Sequence, residues 1–539
     1  MISDDPSVIQ PALDHLRKTF LTGRTLPLKY RKQQLNNLIR GLKELEPKFH
    51  AALQKDLNAN EMMSYMLSTN LTIEDIKHTL SHIDSWSKPK SVDTPLVIGP
   101  GRSYIQPEPY GVALVVGPWN YPVSTCIPYL ATAIAAGNCC IVKPSEVSAH
   151  TSNVIAELVD KYLDKDCYRC IEGQVEVAKA IIKEKFDLIV FTGSTEKGKL
   201  VAKAAAENLI PCVLELGGKS PTIVDRDADL DNAALRIVQG RMINCGQTCI
   251  ACDYLFVHKD IKAKLLMKMQ ETVTAFYSRD PSTSEDYPRM INDFHFQRVK
   301  SYLDEDHGGK VVIGGQIKPE EKYIAPTVVD NPRLDSKLMQ EEIFGPVLPV
   351  LEFVDIEYVI KFIQERPKPL ALYYYGSTFS NNYKRVKTLT SSGGLMANDS
   401  VFHFANNHLP FGGVGFAGYG KLHGREGFKS FTHYKSVMEK TGINFFPFNV
   451  RYPPYAGSRG KLLRFMLKLS HINQSTIIKT LIWLGILGIG YKMYNRGRAK
   501  LAYDFVAIVA KVAKAIAYGD PIPKIPAIPY LEKLKTVAK

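Results

Sequence analysis

The sequence has little that would mark a secreted or metal-binding protein. Its first residues are polar and acidic with no apolar stretch behind them, so we predict no secretory signal. The nine cysteines are irregularly spaced, which favours free thiols in a reducing compartment over a disulfide framework. One Cys-x-x-Cys pair, Cys167 and Cys170, lacks a second pair or matching histidines, and we predict no metal site from it.

Acidic residues are scarce near the end of the chain. From Arg451 to Lys539 there are 16 basic and 3 acidic side chains, so this segment carries +13 of the formal net charge of +14. The first 450 residues hold 52 basic and 51 acidic side chains and are nearly neutral. A neutral body argues against a nucleic acid partner, and the basic tail predicts contact with an anionic surface.

What is present is a long globular sequence, with 539 residues, 45% of them hydrophobic and 23% charged. That length is enough for two or three domains. Between residues 112 and 218, short apolar runs alternate with helical patterns, which predicts an α/β fold with a mostly parallel sheet. The predicted strands are 112–116, 139–142, 186–191 and 212–216. Ligands bind beyond the carboxyl ends of such strands, so the polar residues there are candidate site residues.

Each predicted strand brings a polar group to this edge. Asn120 could donate its amide to an oxyanion or simply stabilise a turn. Lys143 could bind a ribose or phosphate, or it could face solvent. Residues 192–198 begin a helix whose backbone amides favour phosphate. Glu215 lies among apolar residues, so its pKa should be raised and it could act as a general base, unless it faces water.

Cys249 closes a Gly-Gln-Thr-Cys turn after a helical pattern at 232–242. A thiolate is a strong nucleophile toward a carbonyl carbon when its approach is open and its pKa is lowered. A free cysteine can equally be a small buried apolar residue, and the turn alone does not decide between these roles. Cys245 and Cys252 flank it, and either could form a reversible disulfide with it or remain buried and inert.

Seven short motifs lie between residues 119 and 415. They are Trp-Asn-Tyr-Pro at 119–122, Val-Lys-Pro-Ser-Glu at 142–146, Phe-Thr-Gly-Ser-Thr at 191–195, Leu-Glu-Leu-Gly-Gly-Lys-Ser-Pro at 214–221, Asn-x-Gly-Gln-Thr-Cys-x-Ala at 244–251, Glu-Glu-Ile-Phe-Gly-Pro-Val at 341–347 and Leu-Pro-Phe-Gly-Gly-Val-Gly at 409–415. Together they resemble the aldehyde dehydrogenase superfamily, and most closely the membrane-bound fatty aldehyde dehydrogenases of its class 3 branch in fungi. The motifs follow the family's order, and the resemblance covers roughly residues 30 to 440.

The resemblance implies oxidation of long-chain aldehydes to carboxylic acids with NAD, and NADP is the alternative cofactor. Cys249 would attack the aldehyde carbon, and the Asn120 amide with the Cys249 backbone N–H would hold the oxyanion. Glu215 would then activate the water that releases the acid. No metal takes part.

The resemblance also implies a set of cofactor-binding residues. They are Trp119, Lys143, Glu146, Gly193, Ser194, Gly198, Glu342 and Phe344. Lys143 would contact the adenosine ribose, Glu342 the nicotinamide ribose, and Glu146 would influence the choice between NAD and NADP. Lys197 replaces a small apolar residue of the relatives, which would favour NADP if its amine approaches the phosphates and not solvent.

The domain organisation follows from the same resemblance. A Rossmann-like NAD-binding domain would occupy 1–218, with 101–110 in a β oligomerisation arm, and an α/β catalytic domain would occupy 219–427. Residues 428–450 would form the oligomerisation strand region of a homodimer. Residues 451–539 would be a basic membrane-associating helical tail.

Two segments of the tail predict membrane contact. Residues 476–494 are apolar apart from two lysines and are close to the roughly 20 residues that span a bilayer, although a buried core helix is the alternative. Residues 501–518 predict an amphipathic helix at the interface. A single span and a hairpin with both ends in the cytosol remain open. With the catalytic body in the cytosol, the membrane would be the mitochondrial outer membrane, a lipid droplet or the endoplasmic reticulum.

The sequence also bears on three other functions. The aromatic side chains Tyr121, Phe402 and Phe404 near the expected cavity mouth suit a hydroxybenzaldehyde-type substrate. Acyl transfer to coenzyme A is disfavoured, because relatives with that activity generally lack the general-base Glu. A non-catalytic membrane scaffold is disfavoured because all three predicted catalytic residues are present.

Overall fold

The computed structural model describes residues 4–468, except 96, 97, 99, 441 and 443–447, and a few isolated positions beyond 468. Its helices are α1 Ile9–Leu21, α2 Leu28–Glu44, α3 Glu46–Leu57, α4 Glu61–Ser64, α5 Asn70–Trp86, α6 Ile127–Ala136, α7 Ala149–Tyr162, α8 Val175–Ile181, α9 Thr195–Glu207, α10 Leu230–Met242, α11 Lys262–Tyr277, α12 Asp293–Asp304, α13 Lys337–Gln340, α14 Ile356–Gln364, α15 Asn381–Leu389, α16 Gly424–Ser430 and α17 Ser458–Lys468. Its strands are β1 Lys90–Val92, β2 Gly101–Pro109, β3 Val112–Val116, β4 Cys139–Lys143, β5 Tyr168–Cys170, β6 Leu188–Gly193, β7 Cys212–Leu216, β8 Pro221–Val224, β9 Tyr254–His258, β10 Lys310–Ile313, β11 Ile317–Lys318, β12 Tyr323–Ile324, β13 Thr327–Asp330, β14 Val347–Phe353, β15 Ala371–Tyr375, β16 Gly394–Ala397, β17 Gly418–Tyr419 and β18 Thr432–Lys440.

The first sheet has six strands in the order β17-β7-β6-β3-β4-β5. Its neighbouring strands pair in parallel except β17, which runs antiparallel to β7. All five residues of β3 are buried, as expected for a parallel strand that is covered on both faces. The strand order reverses between β3 and β6, and α/β sheets bind ligands in the crevice at such a point. The predicted α/β class and mostly parallel sheet are confirmed.

The second sheet has seven strands in the order β10-β13-β14-β9-β8-β15-β16. It is parallel apart from β10, which runs antiparallel to β13. Each sheet has its own apolar core, and the core of the second sheet includes the buried face of α10. The helix α10 connects β8 to the turn that carries Cys249, so it fixes where that turn begins.

Two compact units are present. Residues 4–88 and 107–434 form one unit, which contains both α/β sheets. Residues 89–106 and the described residues from Lys435 onward form the other, which includes most of the three-stranded sheet β1-β2-β18. The strands β2 and β18 fall in the segments predicted to form the oligomerisation arm, whose role stays a prediction.

Within the described residues, no helix combines the length and apolar character that crossing a bilayer requires. The helix α17 ends at Lys468. The predicted anchor at 476–494, apart from isolated positions, and the predicted amphipathic helix at 501–518 lie outside the described residues.

Candidate active site

The turn that carries Cys249 has an unusual backbone. After α10, Asn244, Cys245 and Gly246 all have positive φ angles, of 52°, 55° and 72°. A β-carbon on Gly246 would lie 2.2 Å from the carbonyl oxygen of Gly345, so no other residue fits without moving that backbone. The turn is therefore pressed against the segment that follows Glu342.

Hydrogen bonds also tie this turn to the segment after β3. The Asn244 side-chain amide donates to the Asn120 carbonyl at 2.8 Å, and the Asn120 amide donates to the Gln247 carbonyl at 2.9 Å. Tyr121 and Thr248 share a hydrogen bond of 2.7 Å between their hydroxyls. A primary amide has two N–H groups, so Asn120 keeps a second donor beside the turn.

The Cys249 thiol is partly exposed and lies beside two carboxyl groups. Burial, together with the nearby Glu342 and Glu215, raises its pKa to about 12, because each of these disfavours the thiolate. The thiol is therefore protonated at neutral pH, in contrast to the lowered pKa that a preformed nucleophile would have. Attack on a carbonyl would have to be coupled to removal of this proton.

Glu215 is buried in β7, and neither carboxyl oxygen has a well-aligned hydrogen-bond partner among the described residues. Burial holds its pKa well above the ordinary value, although the Lys421 ammonium and the Gly413 N–H offset part of this effect. The strand β17 closes over it, because Gly418 pairs with Glu215. Lys421 donates to the Gly412 and Gly413 carbonyls at 2.7 and 3.1 Å, and these hydrogen bonds hold the glycine-rich segment before β17 in place.

Two cavities meet at Cys249. The first, of about 630 Å³, is largely apolar, and its wall includes Leu67, Ile243, Leu370, Val401, Phe404 and Phe411. The second, of about 980 Å³, includes Trp119, Asn120, Gly193, Ser194, Glu342 and Phe344. Cys249 and Glu215 line both cavities, as do Tyr121, Thr125 and Thr192. A reactant in either cavity can therefore reach the same thiol.

The second cavity fits a dinucleotide at its nicotinamide end. One oxygen of Glu342 is buried and has no hydrogen-bond partner among the described residues, and burial with nearby Asp253 raises the pKa of Glu342 to about 8. A ribose hydroxyl is the donor that such an oxygen lacks. Trp119 meets Phe344 edge-to-face at a ring separation of 5.4 Å, giving an aromatic wall.

The same cavity reaches the N-terminus of α9. Ser194 caps this helix and accepts a long hydrogen bond of 3.5 Å from the Lys197 N–H. A β-carbon on Gly198 would lie 2.5 Å from a methyl group of Leu216, so this glycine lets α9 pack closely on β7. Free backbone amides at a helix start suit a pyrophosphate. Lys197 itself is exposed to solvent.

Lys143 and Glu146 lie at the carboxyl end of β4. The buried Lys143 amine donates to Glu146 and to the Pro144 carbonyl, both at 3.1 Å. Val116 of β3 pairs with Lys143, which puts both charged groups at the sheet edge that carries Trp119, although neither lines the second cavity.

Sequence reasoning missed several residues at the site. Arg298 lines the second cavity and donates to the Ile343 carbonyl at 2.9 Å, which holds the segment between Glu342 and Phe344. His295 packs on Trp119 at 4.7 Å, and burial lowers its pKa to about 4. Neither belongs to a recognisable motif. Lys421 was also missed, although it directly follows a glycine-rich segment.

The remaining predicted residues are distributed as follows. Tyr121 and Phe404 line the first cavity, whereas Phe402 is not part of its wall. Cys245 and Cys252 are buried, and all nine cysteines are free thiols. The Cys252 thiol lies 3.2 Å from the Ser400 hydroxyl.

Comparison with known proteins bears on this site. The model of the aldehyde dehydrogenase family matches residues 3–437. The chain belongs to the aldehyde dehydrogenase family. It is therefore an enzyme, an aldehyde dehydrogenase that uses NAD or NADP. The lining of the second cavity is consistent with this cofactor.

Individual relatives of this aldehyde dehydrogenase are similar over nearly their whole length. It is 42% identical to aldehyde dehydrogenase family 3 member A2 of Rattus norvegicus over 508 residues, or 93% of this chain and 99% of that protein. It is 42% identical to the dimeric NADP-preferring aldehyde dehydrogenase of the same organism, over 83% of this chain and 98% of that protein. The solved structure of the substrate-bound state of Staphylococcus aureus AldH matches with a TM-score of 0.82 and 40% identity, over 85% of this chain and 99% of that one.

Proposed function

We propose that this aldehyde dehydrogenase oxidises long-chain aliphatic aldehydes to carboxylic acids. The observation that supports this proposal is the first cavity, because it ends at Cys249 and its wall is mostly aliphatic and aromatic. A hydrocarbon chain gains about 0.8 kcal/mol for each methylene that such a wall removes from water. A small polar aldehyde would gain little from the same wall.

In the proposed mechanism, the Cys249 sulfur adds to the aldehyde carbon as its thiol proton passes to a water molecule in the cavity. The carbonyl oxygen becomes an oxyanion, and the second N–H of Asn120 and the backbone N–H of Cys249 donate to it. Bound NAD or NADP would supply the hydride acceptor, and loss of the hydride from this adduct would leave a thioester on Cys249. Glu215 then accepts a proton from water, and the resulting hydroxide releases the acid and restores the thiol.

The environment of Glu215 supports its role as the base. Its raised pKa makes the carboxylate a stronger base than an exposed glutamate, and its oxygens are not occupied by well-aligned donors. A water molecule at the junction of the two cavities would find this acceptor unused. Because Glu215 must be ionised to act, we expect the deacylation rate to increase with pH.

The lining of the second cavity supports the proposed cofactor roles of Glu342, Phe344 and Ser194. Glu342 would accept from the nicotinamide ribose, Phe344 would pack beside the ring, and the α9 N-terminus at Ser194 would bind the pyrophosphate. Lys143 would contact the adenosine ribose. Its partner Glu146 would disfavour a 2′-phosphate through like-charge repulsion, so Glu146→Gln should shift the preference toward NADP.

The test of this function is a substrate series. The purified detergent-solubilised protein is supplied with NAD or NADP and with aldehydes from hexanal to hexadecanal, and NADH or NADPH formation is followed, with Cys249→Ser as control. We expect kcat/KM to rise with chain length and the control to be inactive. No turnover of any aldehyde would refute the proposal.

Aromatic aldehydes are the second candidate substrates. Tyr121, Phe404 and Phe411 contribute aromatic rings to the first cavity, and these could stack on a hydroxybenzaldehyde. A maximum of kcat/KM at the aromatic aldehyde in the same series would favour this candidate over the aliphatic one.

We also propose an NAD-binding domain at 1–218, a catalytic domain at 219–427 and a homodimer that forms through the segments holding β2 and β18. The word "dimeric" in the name of one relative supports the dimer. Sedimentation equilibrium tests it: a mass near twice the 60.3 kDa of one chain is expected, and the monomer mass would contradict it.

The basic tail at 451–539 is proposed to bind a membrane while the catalytic body stays in the cytosol. Its excess of 13 positive charges and the apolar segment at 476–494 support this. On isolated mitochondria, lipid droplets or microsomes, protease digestion of a C-terminal epitope without detergent would exclude a single span and support the hairpin. Protection until detergent is added would support the span.

A further inference from the structure

A second apolar surface adjoins the first cavity. It is a groove of about 760 Å³ whose wall includes Met62, Met63, Met66, Phe276 and Tyr277, and we call it the methionine groove. Two buried residues, Leu67 and Ile243, line both this groove and the cavity that ends at Cys249. These two side chains therefore lie at the boundary between the two spaces.

The local sequence explains how the groove forms. Asn60 caps α4 by accepting from the Met63 N–H at 2.8 Å, and its amide donates to Asp286 at 2.6 Å. Between α4 and α5 the chain forms one π-helical turn at Tyr65–Thr69, a rare conformation that often occurs at functional sites. This turn buries Leu67, which is 4% exposed, toward the cavity.

The exposure of the methionines is unfavourable unless something covers them. Met62 is 69% exposed and Met66 is 41% exposed, within five residues of each other. Exposed apolar side chains clustered in a concave surface indicate a binding site. Methionine is flexible and polarizable, so it adapts to ligands of variable shape.

The groove lacks the groups that a charged ligand would need. Asp286 is the one charged residue of its described wall, and the other polar wall residues are Asn60 and Gln239. An acidic headgroup would find no cation among these residues and one like charge. A neutral hydrocarbon chain matches this wall.

We propose that the methionine groove binds the distal methylenes of a long-chain aldehyde whose carbonyl carbon is at Cys249. The chain passes from the first cavity between Leu67 and Ile243 and lies against Met62, Met63 and Met66. This inference rests on the proposed function, because it assumes an aliphatic substrate in the first cavity. It makes the groove the part of the enzyme that selects for chain length.

The test compares the wild-type enzyme with Met62→Gln/Met66→Gln, in which glutamine keeps the side-chain length and helix propensity. The readout is the ratio of kcat/KM for hexadecanal to that for hexanal, measured under one detergent condition. Each methylene that loses apolar contact lowers kcat/KM roughly fourfold, so loss of two or more contacts should lower the ratio at least tenfold. Met267→Gln is the matched control, since Met267 is 54% exposed on α11 but is not part of the groove wall.

Each outcome has a distinct meaning. A lowered ratio in the double variant with an unchanged ratio in the control supports the groove. An unchanged ratio in the double variant overturns it, and loss of vesicle binding or of the dimer by that variant would then assign the methionines to a bilayer or to a second copy. If the wild-type enzyme has a ratio of hexadecanal to hexanal kcat/KM near one, the proposal that it acts on long-chain aldehydes is itself refuted. The variant positions are exposed, and a thermal unfolding curve verifies that each variant is folded.

Discussion

Substitution of Gly246 by alanine should damage the site far more than it damages the fold. Gly246 has a φ of 72°, which costs a residue with a β-carbon about 1–2 kcal/mol. The added atom would also lie 2.2 Å from the Gly345 oxygen and 2.4 Å from the Gly345 carbonyl carbon. An ordinary contact needs roughly 1 Å more, so one of the two backbones must move by about that distance.

Such a movement separates the Cys249 turn from the segment of Glu342 and Phe344. A misplacement of about 1 Å at a reacting group can lower the rate roughly 100-fold, and we expect this loss in kcat/KM for Gly246→Ala. The assay is NADH formation at saturating cofactor, with the concentration of folded enzyme taken from its thermal unfolding curve.

Gly23→Ala is the matched control. Gly23 has a similar φ of 76°, but its added β-carbon would meet a Leu26 methyl group at an ordinary 3.5 Å. With an unfolding entropy of about 1 kcal/mol per degree for a chain of this size, it should lower Tm by about 1–2 °C and leave kcat/KM unchanged. If Gly246→Ala retains kcat/KM within threefold of Gly23→Ala, the steric reasoning is refuted.

Three further predictions concern ionisable groups at the site. Because the pKa of the Cys249 thiol is about 12, its alkylation by iodoacetamide should accelerate about tenfold per pH unit between pH 7 and 9, and a plateau in that range would contradict the raised pKa. The pKa of Glu342 is about 8 in the folded protein against 4.5 when exposed, so ionisation of Glu342 lowers the free energy of unfolding as the pH rises from 4.5 to 8. We therefore expect Glu342→Gln to be more stable than wild type by about 1–3 kcal/mol at pH 9 and equally stable at pH 4. Urea unfolding without cofactor measures this difference. Glu215→Gln should lower kcat roughly 10²–10⁴-fold while stopped-flow still detects one burst of NADH per Cys249, and a lost burst would mean that Glu215 acts before the thioester forms.

The first sheet was largely predictable because its strands are short, apolar and buried on both faces. The predicted strands at 112–116 and 212–216 coincide with β3 and β7. The strand predicted at 186–191 instead begins at Leu188, since the Asp187 carboxylate accepts the Val112 N–H at 2.8 Å and turns the chain there. An apolar pattern does not reveal such a side-chain-to-backbone bond.

The polar residues after these strands were predictable as a group, because parallel strands bring their carboxyl ends to one edge. Asn120, Glu215 and Cys249 lie along the cavities that meet there. The positive φ angles of Asn244 and Cys245 were not predictable, since they depend on Asn120 and Gly345, which are distant in sequence. The roles given to the site residues stay predictions until the variants are measured.

The π-helical turn at Tyr65–Thr69 was also not predictable from the local sequence. Its sequence fits an ordinary helix. What distinguishes the turn is that Leu67 faces a cavity whose opposite wall comes from residues around 250 and 404. Local periodicity carries no information on such a neighbour.

The pairing of Glu215 with Gly418 has a consequence for synthesis of the protein on the ribosome. The two residues are roughly two hundred positions apart in the sequence. At a synthesis rate of 5–20 residues per second, β17 therefore emerges about 10–40 seconds after β7. During this interval β7 is an open sheet edge, to which a strand of a neighbouring nascent chain could add. An inward-facing charge discourages such edge pairing, so we expect the Glu215 carboxylate, apart from its proposed role in the reaction, to make the unfinished sheet less prone to aggregation.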